Sequence, residues 1–189
     1  FNKFINGALA VHALNEAEAS FIQKDFPKKH VFIIPNGVPD SITFLSRGKR
    51  LFDKAEVLTV GFIGRLDMDH KGIDLLIEAI YKIQQEGAGG QFRFIFAGPF
   101  HTRRDEKLFW HLIKALPNPE AVQFKGVVLG EEKNKTFDSF DIFVHTSRYE
   151  GMPTAVIEAM ARSIPCLVTP GTNMQENILD CQGGWVCDL

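Results

Sequence analysis

From residue 57 onward the chain alternates short apolar runs with amphipathic stretches, and this rhythm restricts its possible folds more than any other feature. Residues 57–63, 92–97, 122–126, 141–146, 166–169 and 184–187 read as strands, most of them apolar throughout, as strands buried on both faces are. Between them lie helical stretches near 73–85, 103–116, 131–140, just after Pro153, and 173–179. In the first of these, Leu76, Ile77, Ile80 and Ile83 recur at helical spacing. Strands separated by helices at this interval predict an α/β fold, a Rossmann-like parallel sheet with helices on both faces.

The segment before residue 57 has a different character. Residues 7–13 are apolar, Asn15 is placed to cap a helix over 16–26, and residues 30–34 read as a strand running into the turn signal Pro35-Asn36-Gly37-Val38-Pro39. Residues 40–56 are polar and charged without periodicity, and read as a linker or loop. The domain plan is therefore a separate unit over 1–39, a linker over 40–56, and the α/β domain over 57–189. The chain opens on Phe1 rather than Met and stops just after a strand-like run, so it is expected to be part of a longer protein.

Composition narrows the function classes. A hydrophobic content of 45% and a charged content of 23% belong to an ordinary globular protein. The net charge of −2 and the absence of a basic run give no reason to expect a nucleic-acid partner. The chain has seventeen phenylalanines, and those in the strand-like runs read as core. Cys166, Cys181 and Cys187 have no metal-ligand spacing, and Cys166 reads as a reduced core thiol. No metal site is expected.

Two loops carry the residues suited to chemistry. The strand ending at Thr146 leads into Glu150-Gly151-Met152-Pro153-Thr154, with Glu158 eight residues after Glu150. Pro153 suits the first turn of a helix, having no N–H to lose, and Glu158 is expected about two turns inside that helix. Carboxylates accept several hydrogen bonds and so suit hydroxyls. The N–H groups of a helix start favour anions. The other loop holds Gly64, Arg65, Lys71 and Gly72. Its glycines allow close backbone approach, and its two cations can neutralise a diphosphate. Read from spacing alone, both loops equally fit a capped helix and a solvated surface.

The stretch from Ser147 through Glu158 resembles the E-x7-E signature of retaining glycosyltransferases of the GT-B fold, in the glycosyltransferase 4 family. Gly64, Arg65, Leu66, Lys71 and Gly72 resemble that family's phosphate-binding segment. Gly98-Pro99 is similar to its glycine turn, although Phe100-His101 departs from the usual second glycine. Residues 124–128, with Gly126 and Val127, resemble the segment whose backbone lies against the nucleotide base. Asn15 stands where a serine is common, and Gly171 and Gly183-Gly184 displace the glycine-rich turn before Glu176.

The resemblance implies that residues 57–189 form the donor-binding lobe, with residues 1–39 the end of the acceptor lobe and the hinge. The donor would be a UDP- or GDP-sugar, bound without a cofactor or metal. Arg65 and Lys71 would stabilise the departing diphosphate, Glu150 would contact the donor sugar, and Glu158 the ribose. Gly64, Gly126, Val127, Gly151, Met152, Pro153 and Thr154 complete the expected binding set, and Glu150, Arg65 and Lys71 the catalytic one. The acceptor, whether sugar, lipid or protein, is left open. The expected setting is the cytoplasm, with peripheral association at a membrane's cytoplasmic face through the rest of the protein as the alternative. Two other readings stay open: a nucleotide-binding module without catalysis, and a sugar-nucleotide 2-epimerase, a class that lacks this E-x7-E turn.

Overall fold

The computed structural model describes residues 2–38 and 57–188; the 40–56 linker reading lies outside the described residues. The N-terminal segment runs α1 (Asn2–Gly7), β1 (Ala10–Ala13), α2 (Glu16–Asp25) and β2 (His30–Ile33). β1 and β2 form a parallel two-stranded sheet in register Ala10↔His30 through Ala13↔Ile33. The Asn15 side chain caps α2 as expected, accepting from the Glu18 N–H at 2.9 Å. Helix α1 has no counterpart in the sequence reading, because its six residues are too few to display a periodic face.

The remaining elements alternate throughout: β3 (Leu58–Ile63), α3 (Ile73–Gln85), β4 (Phe92–Ala97), α4 (Arg103–Lys114), β5 (Val122–Phe124), α5 (Gly130–Asp138), β6 (Ile142–His145), α6 (Thr154–Ala161), β7 (Cys166–Val168), α7 (Gln175–Asp180) and β8 (Gly184–Val186). The six strands β3–β8 are all parallel, in the spatial order β5-β4-β3-β6-β7-β8. The first strand of the domain therefore lies at the middle of the sheet. The chain builds outward from it to β5, crosses back, and builds outward the other way. The expected Rossmann-like parallel sheet is the observed one, and its topological switch point lies between β3 and β6.

Strand alternation sends neighbouring residues into two cores, one on each face. Ile63, Ile95, Ala97 and Phe143 point to the side covered by Phe137, Phe140, Val156, Ala159 and Ile178 of the later half. Phe62, Phe94, Phe96 and Val144 point to the side covered by Ile73, Leu76, Ile77 and Ile80 of α3 and Phe109 and Ile113 of α4. The phenylalanines dominate both cores; Phe62, Phe96, Phe109, Phe137, Phe140 and Phe143 are fully buried. At the middle of the sheet, Gly61 lies under Phe140, whose ring would be 2.3 Å from a Cβ at that position. Glycine here lets the helix layer close onto the central strand.

Candidate functional site

The carboxyl ends of β3 and β6 face the crevice at the switch point, and the two candidate loops leave from there. They are fastened to each other. The Thr146 hydroxyl donates to the Gly72 carbonyl at 2.8 Å, and the Arg148 N–H donates to the His70 carbonyl at 3.0 Å. The Arg148 guanidinium grips Asp74 of α3 with both nitrogens, at 2.9 and 2.7 Å, and also donates to the carbonyls of Met68 and Asp69. Its neighbour Asp74 raises the Arg148 pKa above the usual value against the opposing effect of burial. Gly72 starts α3 with φ +61°, and a Cβ there would fall 2.1 Å from the Thr146 carbonyl oxygen. Glycine is required at that crossing for both reasons.

This fastening brings Lys71 against Glu150. The Lys71 ammonium binds Glu150 Oε1 directly. The same oxygen accepts from the Ser147 hydroxyl at 2.9 Å and faces His145 Nε2 at 3.4 Å. Burial alone would raise the Glu150 pKa. Hydrogen bonds from His145, Lys71 and Ser147, with the charge of Lys71, overcome that and bring it down to about 2. The group is a fixed anion at neutral pH. Its other oxygen, Oε2, lies 3.9 Å from His70 Nε2. Oε1 is thus the oxygen that gathers the hydrogen bonds.

His145 lies beneath that anchor, stacked on Phe62 at 5.5 Å and Phe143 at 6.1 Å between ring centroids. Burial depresses its pKa against the pull of Glu150. The neutral ring meets the carboxylate with Nε2, so the proton sits there. Among the described residues its Nδ1 has no hydrogen-bond partner.

Arg65 is the most open of the expected charged residues, its side chain 44% exposed, with Asp67 at 3.6 Å and His70 Nδ1 at 3.4 Å. Lys71 is much more enclosed at 16%. Two side-chain rings cover the lip, where His70 and Tyr149 stack at 4.4 Å.

Helix α6 departs from the sequence reading at its start. Pro153, at φ −71° and ψ 115°, is the N-cap, and Thr154 is the first helical residue. Glu158 is consequently the fifth residue of the helix, little more than one turn in. The reason is the extended turn 150–153, which uses up part of the eight-residue spacing before the helix begins. No side chain caps α6. Among the described residues, no hydrogen bond takes up the N–H groups of Gly151, Met152, Thr154 or Ala155. These are the N–H groups expected to meet an anion.

Glu158 is buried and already paired: Lys133 of α5 reaches its two oxygens at 2.8 and 2.7 Å. Sequence reasoning did not find Lys133, Ser147, Arg148 or Asp74 as site residues. Their partners are 25 to 74 positions away or lie within the signature as ordinary loop residues, so spacing carries no trace of them. Gly126 and Val127 follow β5, with Gly126 at φ +69° and its carbonyl accepting from Gly98 N–H at 2.7 Å; Val127 is exposed. Gly64 donates its N–H to the Ala97 carbonyl at 3.0 Å and so holds the start of the Arg65 loop beside β4. Glu176 is exposed on α7. Among the described residues there is no group of acidic, histidine and cysteine side chains suited to a metal ion.

Comparison with known proteins places this geometry. Residues 57–189 match the family described as glycosyl transferases group 1. Mannosylfructose-phosphate synthase of Agrobacterium fabrum is 28% identical over 153 residues, covering 75% of this chain and 33% of that protein. The putative colanic acid biosynthesis glycosyltransferase WcaL of Escherichia coli is 27% identical over 124 residues, covering 62% of this chain and 29% of that protein. The chain thus spans about a third of the length of these curated relatives. Among solved structures, Anabaena HepE in complex with UDP and glucose superposes with a TM-score of 0.78 at 21% identity, over 99% of this chain and 51% of HepE. A Staphylococcus aureus TarM variant in complex with fondaparinux, alpha-GlcNAc-glycerol and UDP gives 0.77 at 25%, over 99% of this chain and 36% of TarM. The family match covers the whole of the six-stranded sheet and both candidate loops, and the chain belongs to the glycosyl transferases group 1 family, with the Rossmann-like lobe of the GT-B fold.

Proposed function

We propose that this chain is the donor-binding lobe of a glycosyltransferase that moves a sugar from a UDP- or GDP-sugar to an acceptor hydroxyl with retention at the anomeric carbon. The observation that carries the reading is the Lys71–Glu150 pair at the switch point, beside the uncapped start of α6. The HepE structure and the TarM variant that the chain resembles were both obtained with UDP, which supports a nucleoside diphosphate in the equivalent crevice.

The geometry supports the following roles. When the bond between the anomeric carbon and the diphosphate breaks, negative charge grows on the leaving oxygens. Lys71 and Arg65 stabilise that charge in a partly enclosed crevice, where such interactions are stronger than in water. Glu150 keeps its charge, holds Lys71 with one oxygen, and accepts a sugar hydroxyl with the other. The N–H groups of Gly151, Met152 and Thr154 bind phosphate or sugar oxygens at the start of α6. Glu158, oriented by Lys133, accepts the ribose hydroxyls. The backbone at Gly126 and Val127 borders the base.

Calorimetric titration of UDP and GDP, each beside its bare nucleoside, tests the reading. The chain is expected to bind one diphosphate far more tightly than its nucleoside. Lys71→Met is expected to weaken the diphosphate about tenfold or more, the loss of one charge-assisted contact, and to leave the nucleoside nearly unchanged. Equal losses for the two ligands would remove Lys71 from the phosphates.

A further inference from the structure

Three successive carbonyls of the turn that carries Glu150 are each held by an asparagine amide. Asn173, after β7, donates to the Glu150 carbonyl. Asn15, the cap of α2, donates to the Gly151 carbonyl at 2.8 Å, and Asn36, after β2, donates to the Met152 carbonyl at 2.8 Å. The partners are separated by 23, 136 and 116 positions; Asn15 and Asn36 come from the N-terminal segment and Asn173 from the segment after β7.

The orientation of Asn15 is settled by its own cap. Its Oδ1 accepts from the Glu18 N–H, which leaves only the amide nitrogen to face Gly151. Glu18 also accepts from the Leu14 N–H at 2.7 Å, so the first turn of α2 is internally braced. A Cβ at Gly151 would come within 2.5 Å of Glu18 Oε1 and 3.1 Å of Leu14 Cδ1. The turn is therefore seated directly against the N-terminal segment, and a side chain at Gly151 would have to displace the Glu18 carboxylate. Asn173 has φ +53°, a left-handed conformation that asparagine tolerates better than most residues.

A trans peptide fixes each N–H opposite the preceding carbonyl. No peptide in the described residues is cis. Holding the carbonyls of Glu150 and Gly151 therefore sets the directions of the Gly151 and Met152 N–H groups, which among the described residues have no partner of their own. We propose that Asn15 and Asn173 are positioning residues of the donor site, aiming the Met152 and Gly151 N–H groups at the diphosphate or sugar oxygens; Asn36 holds the Met152–Pro153 peptide, which has no N–H to aim. Asn15 belongs to the N-terminal segment, so docking of that segment onto the turn is what completes the donor site of the sheet domain. The inference rests on the nucleotide-sugar reading above.

Aspartate is the discriminating substitution. Asn15→Asp keeps the shape and remains a good helix cap, but it loses the donor and sets a carboxylate against a carbonyl. Asn173→Asp does the same at its site. The test measures UDP, GDP and the matching nucleosides by calorimetry for the wild-type chain and the two variants, together with thermal unfolding and amide hydrogen exchange at Gly151 and Met152. Each variant is expected to lose about tenfold in diphosphate affinity, to keep its nucleoside affinity, and to exchange faster at the two amides, with the unfolding temperature of Asn15→Asp close to wild type. A wild-type diphosphate-to-nucleoside ratio preserved in folded variants would overturn the positioning role while leaving the nucleotide site standing. Absence of diphosphate binding by the wild-type chain would instead overturn the nucleotide reading, and with it the ligand these amides are aimed at.

Discussion

Glu150 shows how a single side chain can be committed twice over. Its Oε1 gathers Lys71, Ser147 and His145, and this concentration of donors is what holds the acid near pKa 2 despite burial. The sign of the linkage follows. A folded-state value below the unfolded one contributes stability that is fully present above the unfolded value, near 4.5, and is lost as the pH falls toward 2. Comparison of wild type with Glu150→Gln by urea unfolding at a series of pH values is expected to show a stability gap that is constant from about pH 7 to pH 5 and closes below. A gap independent of pH would mean the carboxylate gains nothing from its neighbours. His145 is the other residue whose state is set by position. Its ring stays neutral because it is buried against Phe62 and Phe143, and its Nε2–H braces the acid from below.

At the scale of elements, the site is a junction of loops that only glycines allow to approach. Gly98 ends β4 with φ +134°, and a Cβ there would lie 1.9 Å from the Gly64 carbonyl oxygen at the start of the Arg65 loop. Both the backbone conformation and the backbone neighbour resist a side chain, and neither can move without shifting β3 or β4. Gly98→Ala is expected to destabilise the chain by about 3 kcal/mol or more, measured as a lowered urea midpoint at unchanged slope. A loss under about 1 kcal/mol would show that the loop yields cheaply. Helix α6 illustrates the same point from the other side. Its eight residues follow an extended turn rather than continuing from it, so Glu158 sits one turn in, where Lys133 of α5 meets it.

The molecule joins a six-stranded sheet to a small two-stranded one through the side-chain amides of Asn15 and Asn36 on carbonyls of the Glu150 turn. The proposed donor-binding residues Arg65, Lys71, Glu150 and Glu158 all lie on the larger unit. Transfer requires an acceptor held in reacting geometry as well, and loss of that arrangement removes many orders of magnitude in rate. The 189-residue chain is therefore expected to bind a nucleoside diphosphate and to transfer no sugar in a product assay with UDP- and GDP-sugars and simple sugar acceptors. Turnover at ordinary enzyme rates would show that these residues hold the acceptor too.

The strands and helices of the sheet domain were legible in the sequence almost to the residue, at 73–85 and 92–97 without error. Apolar periodicity is a local property, and a strand buried on both faces writes it plainly into consecutive residues. The two acids and two cations stood out for a different reason: they fall in segments that resemble a family's motifs, whereas their spacing alone fits a capped helix and a solvated surface as well. What decides how those residues act is not local. The pairing of Lys71 with Glu150, the Arg148–Asp74 link, Lys133 beside Glu158, and the asparagine amides on three successive carbonyls all join positions from 23 to 136 apart. No spacing rule records such contacts, because a hydrogen bond depends on where the folded backbone places donor and acceptor. The chain's own pattern determined the sheet and supplied the charged groups; only the parallel pairing of β3 with β6, which brings the Lys71 loop against the Glu150 turn, decided which oxygen of Glu150 is anchored.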